Sequence, residues 1–396
     1  MIEDIAVTKF REYLRIKTVQ PNPDYESCTK FLFGLADELG IERLRYDTNP
    51  GYPFVVMTIP GSQPDLSSIM LYSHTDVVPV FEKHWKHDPF SAHKDEKGDI
   101  YARGAQDMKC VGSQYFEAIR RHFLRGKKQF RRTVHIVWGP DEEIGGPNGI
   151  KAFVESSVFK SLNVAFTLDE GIASETEVYK TFYAERCGWW IRVTFPGQPG
   201  HGSKFIEDTA AEKMQSFINN ALTFRAEQKS LLQSDSSKTL GDVTSLNLTI
   251  VRGGVQTNVL PEKFECELDI RLPPTVDYEG FEKKLNEWAG NGTKIEYTMK
   301  TIFKNMTPTT MEDPFWAAFE GTLKFEGCKF TKEIFPASTD SSYIRAQGIR
   351  SIGFSPMINT PSLLHDHNEF LNEKVFLRGV EIYEKLIEAL ANVPKE

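Results

Sequence analysis

The sequence predicts an α/β fold, in which a mixed sheet is flanked by helices on both faces and a smaller α+β domain is inserted into the chain. Strand and helix patterns alternate through the first half, and the same alternation returns near the C-terminus. The segment between these parts has a different rhythm. Strands that alternate with helices form a sheet with helices on both faces, so the two outer parts are expected to build one domain.

The elements of the outer parts follow from apolar periodicity. Helical periodicity over Lys30–Leu39 ends at Gly40, a residue type that commonly terminates helices. Apolar runs predict strands at Phe54–Ile59, Ile69–Ser73, Thr133–Trp138, Val164–Leu168 and Ile349–Phe354. Amphipathic periodicity predicts further helices at Gly112–Leu124, from the Asp313-Pro314 cap to Phe325, and at Val375–Ala391.

The central segment predicts a self-contained unit. Thr209 and Glu212 have the spacing of a capping box, which opens a helix toward Leu232. The other elements are strands at Trp189–Phe195, Thr244–Val251, Phe264–Leu272 and Lys294–Lys300 and a helix at Tyr278–Ala289. This β-α-β-β-α-β order is that of the ferredoxin-like fold. We therefore assign residues 184–303 to an inserted domain, and residues 1–183 and 304–396 to the domain that surrounds it.

Composition narrows the functional class. The chain has 396 residues, a net charge of −8 and a pI near 5.7, so it lacks the basic footprint of a nucleic-acid-binding protein. The five cysteines are scattered and never spaced as CxxC, which favours a reducing compartment. The N-terminal stretch lacks the apolar run of a secretory signal, and no segment approaches the ~20 apolar residues that cross a bilayer. We expect a cytoplasmic protein with neither membrane nor nucleic-acid partners.

Side chains of the metal-binding type follow the predicted strands of the outer domain. They are His74 and Asp76 in "SHTD", Asp107 in "ARGAQDMKC", Glu142 and Glu143 in "GPDEEIGG", Glu170 in "TLDEG", and His365 and His367 in "LLHDHNE". Ligands of α/β proteins bind beyond the carboxyl ends of the strands, so these side chains are expected to converge. Asp76 shares a strand face with His74 and is expected to orient its imidazole.

The run of Asp141, Glu142 and Glu143 raises the question of what holds three carboxylates together. Adjacent like charges raise one another's pKa unless something positive lies among them. Histidine with aspartate and glutamate, without cysteine, suits zinc, cobalt or manganese in a catalytic site. Five ligands exceed the needs of one tetrahedral ion but suit two ions that share a carboxylate. We therefore predict a two-metal centre with one glutamate bound to an ion and its neighbour left free.

Other polar residues of the outer domain have simpler interpretations. Asp141 is expected to be a loop residue or to support the ligands rather than to bind metal. His84, His87 and His93 resemble a histidine-rich metal tract, although a solvated loop is the simpler explanation, and a structural role is expected for His122 and His135. The loop assignments follow from the polar stretches around those residues. The structural roles of His122 and His135 follow from the helix and strand periodicity in which they lie.

In the inserted domain, "PGQPGHGS" places His201 in a glycine-rich turn. A turn histidine is the simpler explanation, but glycines on both sides also let the backbone approach a substrate closely. Asn258 and Arg271 lie in a loop and a strand of the same domain and are candidates for binding polar groups of a substrate.

Together, these motifs resemble those of a zinc metallopeptidase family that includes carboxypeptidase G-type enzymes, succinyl-diaminopimelate desuccinylases and carnosine dipeptidases. The segments "SHTDVVP", "ARGAQDMK", "PDEEIGG", "LDEG" and "LLHDHNE" occur in the family's order, and "QPGHGS" is similar to a turn of its lid domain. The match is fullest with the N-acyl-amino-acid amidohydrolases of the family, through "SHTDVVPVFEKHW", "EDTAAEK" and "GFSPM". The resemblance implies a catalytic domain of the di-zinc peptidase type and a lid/dimerisation domain at residues 184–303.

The resemblance also implies roles for individual residues. The implied zinc ligands are His74 and Glu170 for one ion, Glu143 and His365 for the other, and Asp107 as the bridge. Glu142 would be the general base and Asp76 the partner of the ligand histidine. His201 would reach the active site of the other subunit, so a homodimer would be needed for catalysis.

The implied reaction is the zinc-dependent hydrolysis of an N-acyl-L-amino acid to a carboxylate and a free L-amino acid. Such a substrate carries a free α-carboxylate, so a guanidinium is expected to bind it, with Arg271 and Arg345 as candidates. A dipeptidase or carboxypeptidase would use the same metal centre, and a non-catalytic dimeric scaffold could share the fold. The presence of Glu142 and Asp107 disfavours the scaffold.

Overall fold

The computed structural model describes residues 3–395, and the chain divides into two compact units. The first unit contains the chain up to Tyr183, Thr307–Lys332 and the chain from Thr339 onward. The second contains Ala184–Met306 and Glu333–Ser338. Residues 333–338 therefore differ from the assignment made from sequence, which placed 304–396 wholly in the outer domain. They group with the second unit because Arg186 donates hydrogen bonds from its backbone amide and Nε to the carbonyl oxygens of residues 335 and 336.

The helices and strands are numbered along the chain. The helices are α1 Ile5–Leu14, α2 Tyr25–Leu39, α3 Lys109–Leu124, α4 Ile150–Glu155, α5 Ser157–Ser161, α6 Ala210–Ser234, α7 Tyr278–Ala289, α8 Pro314–Phe325, α9 Ser341–Ala346 and α10 Glu373–Ala391. The strands are β1 Glu42–Asp47, β2 Pro53–Ile59, β3 Ser68–His74, β4 His93–Lys94, β5 Asp99–Tyr101, β6 Val134–Gly139, β7 Val164–Asp169, β8 Val178–Glu185, β9 Cys187–Pro196, β10 Gly200–His201, β11 Ser245–Gly253, β12 Val259–Leu260, β13 Lys263–Leu272, β14 Lys294–Lys300, β15 Lys329–Phe335, β16 Arg350–Phe354 and β17 Phe370–Asn372.

The main sheet of the first unit has the strand order β1-β2-β6-β3-β7-β16-β8-β15. Strand β3 is parallel to β6 and β7, whereas β1, β2 and β6 pair antiparallel, so the sheet is mixed as predicted. Along the buried β3, Ile69 and Leu71 pack with residues of α1, α3 and α10, and Met70 and Tyr72 pack with residues of α4 and α5. Alternate side chains of one strand thus enter two cores, and the prediction of helices on both faces is confirmed.

The second unit contains an antiparallel sheet of order β11-β13-β9-β14, on which α6 and α7 pack. The elements of this four-stranded sheet and its two helices follow the β-α-β-β-α-β order expected from the sequence, and the two-residue strands β10 and β12 form a separate pair. The capping box is formed: Thr209 Oγ1 accepts from the amide of Glu212, whose carboxylate accepts from the amide of Thr209. Apolar residues of β9, β13, α6 and α7 form a core of their own.

Helix boundaries in the N-terminal region differ from the prediction for a local reason. The helix predicted from Lys30 begins at Tyr25, because Asp24 accepts a hydrogen bond from the amide of Ser27 and caps the helix there. Helix α1 was missed because charged residues interrupt its pattern, although Val7 and Phe10 are fully buried.

Two further predictions concern the surroundings of the chain. Among residues 3–395, no helix combines the length and the apolar character required to span a bilayer. All five cysteines are free thiols, and Cys28, Cys110, Cys187 and Cys266 are buried. The four buried cysteines pack as small apolar side chains.

Candidate metal centre

Three adjacent strands of the first unit end at the same edge of the sheet and deliver polar side chains there. The parallel strands lie in the order β6-β3-β7, and His74 is the last residue of β3. Glu142 and Glu143 follow β6, and Glu170 directly follows β7. Asp107 precedes α3, and His365 lies in the loop before β17. The topology therefore brings together residues that are almost 300 positions apart in the sequence.

Two groups of potential metal ligands form at this edge. His74, Asp107 and Glu170 make one group and Asp107, Glu143 and His365 the other, with the ligand atoms of each group within 4.8 Å of one another. In the first group, His74 Nε2 lies 3.1 Å from Asp107 Oδ1 and 3.5 Å from Glu170 Oε1. In the second, His365 Nε2 lies 3.2 Å from Asp107 Oδ2 and 3.1 Å from Glu143 Oε2. Asp107 thus contributes one oxygen to each group.

Glu142 lies beside the two groups without belonging to either. Its Oε2 is 3.9 Å from His74 Nε2, and its side chain is 14% exposed. Its neighbour Glu143 has one oxygen near His365, while Glu143 Oε1 is buried and has no hydrogen-bond partner. Burying a carboxylate oxygen without a hydrogen-bond partner costs free energy. The nitrogen and oxygen atoms around it are ligands that bind a cation, which would serve as the missing partner.

The surroundings of the carboxylates raise their pKa values, so the cluster favours positive charge. Burial, followed by the charge of Asp107, raises the pKa of Glu143 to about 7 and the pKa of Glu170 well above its usual value. Burial also raises the pKa of Glu142 well above the ordinary range, and the charges of Glu170 and Glu143 add to this effect. Each of these groups tends to hold a proton when no other cation is near.

The pKa values of the two histidines are raised, as expected for imidazoles among carboxylates. Hydrogen bonds with Asp107 and Glu143 raise the pKa of His365 to about 10. Burial disfavours the charged form of His74, but Glu170 and Asp107 outweigh burial and raise its pKa well above the usual value. Divalent cations would supply the positive charge that these protons otherwise provide, and they would bind the same nitrogen and oxygen atoms.

Asp76 supports two parts of the cluster at once. Its Oδ1 and Oδ2 accept hydrogen bonds from the backbone amides of Glu142 and Glu143, each at 3.2 Å, and Oδ2 also accepts from Gln20 Nε2 at 2.8 Å. His74 Nδ1 lies 3.0 Å from the backbone carbonyl of Asp76 and 3.6 Å from its carboxylate. The nearer partner of the imidazole is thus the main chain, while the carboxylate holds the glutamate loop.

Glu369 is a supporting residue that sequence reasoning missed. It is fully buried, and its carboxylate accepts from the backbone amides of Gly104, Gln106 and Asp107 and from Arg103 Nη1. It connects the loop that carries the shared aspartate with the loop that carries His365. The available signal was its position as the last letter of "LLHDHNE".

The residues given simpler interpretations lie apart from the two ligand groups. Asp141 is a buried loop residue at φ 77° whose carboxylate accepts from the amide of Asn148. The rings of His87 and His93 stack with centroids 3.9 Å apart, and those of His84 and His367 lie 4.9 Å apart. His122 Nε2 contacts the carbonyl of Glu384, and His135 Nδ1 contacts Thr58 Oγ1. His367 therefore belongs with the loop histidines.

The predicted substrate-binding residues are distributed over both units. In the second unit, His201 is exposed with Nδ1 2.8 Å from Ser203 Oγ, Asn258 is exposed, and Arg271 forms a bidentate ion pair with Asp269. Arg345, in the first unit, is 3% exposed and donates to the carbonyl oxygen of Ser351. The substrate role expected for Arg345 stays a prediction.

Comparisons with known proteins agree with this geometry. The family model described as peptidase family M20/M25/M40 matches residues 70–389. The chain is 53% identical to aminoacylase-1A of Rattus norvegicus over 395 residues, which cover 99% of this chain and 97% of that protein. The solved structure of the M20 family metallo-carboxypeptidase Sso-CP2 from Sulfolobus solfataricus superposes with a TM-score of 0.74 at 17% identity, covering 98% of this chain and 100% of that one. The Bacillus subtilis YXEP protein, a dinuclear metal binding peptidase of the M20 family, gives 0.71 at 15% identity, covering 99% and 100%.

Proposed function

Since this chain belongs to peptidase family M20/M25/M40 and is a hydrolase, we propose that it hydrolyses N-acyl-L-amino acids to a carboxylate and a free L-amino acid. The resemblance read from the sequence motifs is thereby confirmed at the level of the family. One observation carries the proposal: over 99% of its length the chain is 53% identical to a protein named aminoacylase-1A. Carboxypeptidase S of Saccharomyces cerevisiae is 26% identical over 84% of this chain, and the solved dipeptidase and carboxypeptidase structures of the same fold are 14–17% identical.

The donor set fits two zinc ions. His74 and Glu170 would hold one ion, Glu143 and His365 the other, and Asp107 would be shared, because its two oxygens lie in different ligand groups. A pair of divalent cations supplies Lewis-acid chemistry, which polarises a carbonyl oxygen and lowers the pKa of water. Imidazole and carboxylate ligands without thiolate are those of a catalytic rather than a structural site.

Glu142 is suited to move the proton that amide hydrolysis requires. It lies next to the ligand groups but belongs to neither, so its carboxylate is available to accept and donate a proton. Glu142 would accept a proton from the attacking water and deliver it to the leaving nitrogen, because an amide does not expel an unprotonated amine. Asp76 would keep Glu142 in place through its amide.

Residues of the second unit would complete substrate recognition in a homodimer. We assign the second unit the role of a lid and dimerisation domain. His201 of one subunit would donate a hydrogen bond to the oxyanion formed in the active site of its partner. His201 is exposed at the end of the short strand β10 rather than in the turn expected from the sequence, and its ring is accessible to a second chain. Arg271 and Asn258 would bind the substrate α-carboxylate and amide. The free cysteines support a cytoplasmic location.

The experiment is a hydrolysis assay on three substrates: N-acetyl-L-methionine, a dipeptide with a free amino terminus, and a peptide with a blocked amino terminus. We expect the N-acetyl amino acid to be hydrolysed with the highest kcat/KM, chelation to abolish turnover, and zinc to restore it. A preference of more than tenfold for either peptide would replace the proposed substrate with that of a dipeptidase or carboxypeptidase. Turnover that resists chelation would overturn the metal-dependent mechanism.

A further inference from the structure

A cavity of about 500 Å³ lies entirely within the second unit, and most charged side chains that line it are cationic. The cationic lining residues are Arg186, Arg225, Lys229 and Arg271. Asp269 is the one carboxylate among the described residues of the lining. This local excess of positive charge occurs in a chain whose net charge is −8. The volume falls in the range of sites that hold small molecules.

Arg186 is the most informative of these side chains, because it is buried without an anion. It is 4% exposed, and its Nε donates to the carbonyl oxygen of Pro336 at 2.8 Å. Its Nη1 donates to the carbonyl oxygen of Val243 and to Ser245 Oγ, each at 3.1 Å. All three acceptors are neutral, and Nη2 has no hydrogen-bond partner among residues 3–395. A buried charge held only by neutral groups retains much of its desolvation cost.

The single carboxylate of the lining does not neutralise this guanidinium. Asp269 is engaged by Arg271 through a bidentate pair of 2.7 and 3.0 Å. Burial, together with the charge of Arg271, lowers the pKa of Arg186 to about 10. The charge of Asp269 does not outweigh the burial of the guanidinium and the repulsion from Arg271.

The rim of the cavity adds two more cations from α6. Arg225 donates from Nε to the neutral Asn247 Oδ1 at 3.1 Å, and neither Arg225 nor Lys229 forms an ion pair within the described part of the chain. The remaining lining is largely apolar and includes Leu232 and Leu240. A cavity lined by both cations and leucines suits a ligand with an anionic group and an apolar body.

We propose that this cavity binds a small organic carboxylate, whose anionic group contacts Arg186, Arg225 and Lys229 and whose apolar part packs against Leu232 and Leu240. The contacts with Arg186, Arg225 and Lys229 are additional to that of Arg271, which lines the same cavity and is assigned above to the substrate carboxylate. Where the occupant is the substrate, the inference rests on the proposed function. The carboxylate has two possible sources: the N-acyl amino acid substrate itself, or a separate metabolite of the same chemistry.

The test measures the binding of hexanoate to the full chain by titration calorimetry at constant ionic strength, with 1-hexanol as the uncharged probe of equal length. We expect saturable hexanoate binding and much weaker binding of hexanol. The double variant Arg225→Gln/Lys229→Gln should bind hexanoate about tenfold more weakly, on the scale of charge-assisted hydrogen bonds. The matched control Lys283→Gln/Lys284→Gln removes the same charge from the exposed surface of α7, outside the cavity lining, and should bind as wild type.

Absence of saturable hexanoate binding, equal affinity for hexanol, or wild-type affinity in the cavity double variant would overturn the proposal. Steady-state hydrolysis of N-acetyl-L-methionine in the presence of hexanoate then distinguishes the two sources. A rise in apparent KM identifies the substrate carboxylate as the occupant, and an unchanged KM identifies a separate carboxylate. Because binding is measured without turnover, failure of the hydrolase proposal would leave this result standing.

Discussion

The two carboxylate oxygens of Asp107 divide between two imidazoles, and this division defines the candidate centre at the scale of single residues. Oδ1 lies 3.1 Å from His74 Nε2, and Oδ2 lies 3.2 Å from His365 Nε2. Despite burial, these histidines hold the pKa of Asp107 below its usual value. Its neighbours Glu142, Glu143 and Glu170 shift in the opposite direction. The centre thus combines one carboxylate that stays charged with three that require a cation or a proton.

Replacement of Glu142 by glutamine separates proton transfer from metal binding. The amide keeps the size of the side chain but cannot accept a proton, so kcat for N-acetyl-L-methionine should fall by ~10²-fold or more. Metal content should stay at the wild-type level, because Glu142 lies outside both ligand groups. Steady-state kinetics and elemental analysis of the same preparation check this prediction. Parallel loss of metal and activity would show that Glu142 is a ligand instead.

Replacement of Glu369 by glutamine should weaken metal binding from outside the ligand set. The substitution removes the charge that faces the buried Arg103 and weakens the acceptor for the amide of Asp107. We expect zinc affinity to fall by ~10–100-fold, the usual scale for partners that hold metal ligands in place. Competition with a chromophoric chelator measures this affinity. Glu373→Gln, which alters an ion pair with Lys94, is the control and should retain wild-type affinity.

Sequence reasoning identified candidate ligands that belong to a motif but missed a residue that holds a ligand loop in place. His74, Glu143 and Glu170 could be predicted because each follows an apolar run that forms a strand. Glu369 could not, because its partners are backbone amides of a loop more than 250 residues away, and side-chain chemistry carries no record of such contacts. Arg345 was assigned to the substrate carboxylate on residue type alone, and the sequence could not show that it is buried and donates to the carbonyl oxygen of Ser351.

At the scale of elements, the mixed sheet places the candidate centre by register. β3 and β6 run parallel, and His74 pairs with Gly139, three residues before Glu142. Strands β2, β3, β6, β7 and β16 were predicted because their sequences are mostly apolar, whereas β8, whose sequence VYKTFYAE is more polar, was not. The exposed edge strand β1 was not predicted, because its sequence ERLRYD is mostly polar and pairs with β2 through its backbone. Edge strands take their stability from the neighbouring strand rather than from their own burial.

The histidine within β6 gives this element a measurable pH dependence. His135 is 5% exposed, and burial lowers its pKa to about 4, whereas the unfolded chain has the ordinary value of about 6.5. Between these values the unfolded state binds a proton that the folded state excludes. Stability should therefore fall as pH falls from 6.5 toward 4, by up to ~1.4 kcal/mol per pH unit from this group.

Urea denaturation at several pH values measures this dependence. His135→Gln should show a shallower loss of stability over the same window, whatever its stability at neutral pH. The control His93→Gln changes an exposed imidazole and should keep the wild-type slope. Identical slopes for wild type and His135→Gln would rule out His135 as the source.

At the scale of the whole molecule, the proposed homodimer predicts that two inactive variants can complement each other. His201 belongs to the second unit, while the metal ligands belong to the first. If His201 acts in the active site of a partner subunit, His201→Ala and His365→Ala should each be inactive alone. After subunit exchange, the mixture should regain up to about a quarter of the wild-type activity, since half of the dimers are mixed and each has one intact site.

The recovery is measured by mixing the two variants under conditions that permit dimer exchange and by following the hydrolysis of N-acetyl-L-methionine. A mixture of His201→Ala with Glu142→Gln provides an independent second pair with the same expectation. Recovery in neither pair, with exchange verified by a tagged subunit, would place the action of His201 within its own chain or outside catalysis.

The number of divalent cations bound per chain is the most direct test of the account, because the proposed mechanism depends on His74, Asp107, Glu143, Glu170 and His365 converging on a pair of ions. Purified protein should be loaded with zinc, freed of excess metal and analysed by mass spectrometry under native conditions. The account predicts two ions per chain in the wild type and a loss of both from Asp107→Ala, since the shared carboxylate serves each group. A wild-type chain that binds one ion or none, or an Asp107→Ala variant that still binds two, would contradict it.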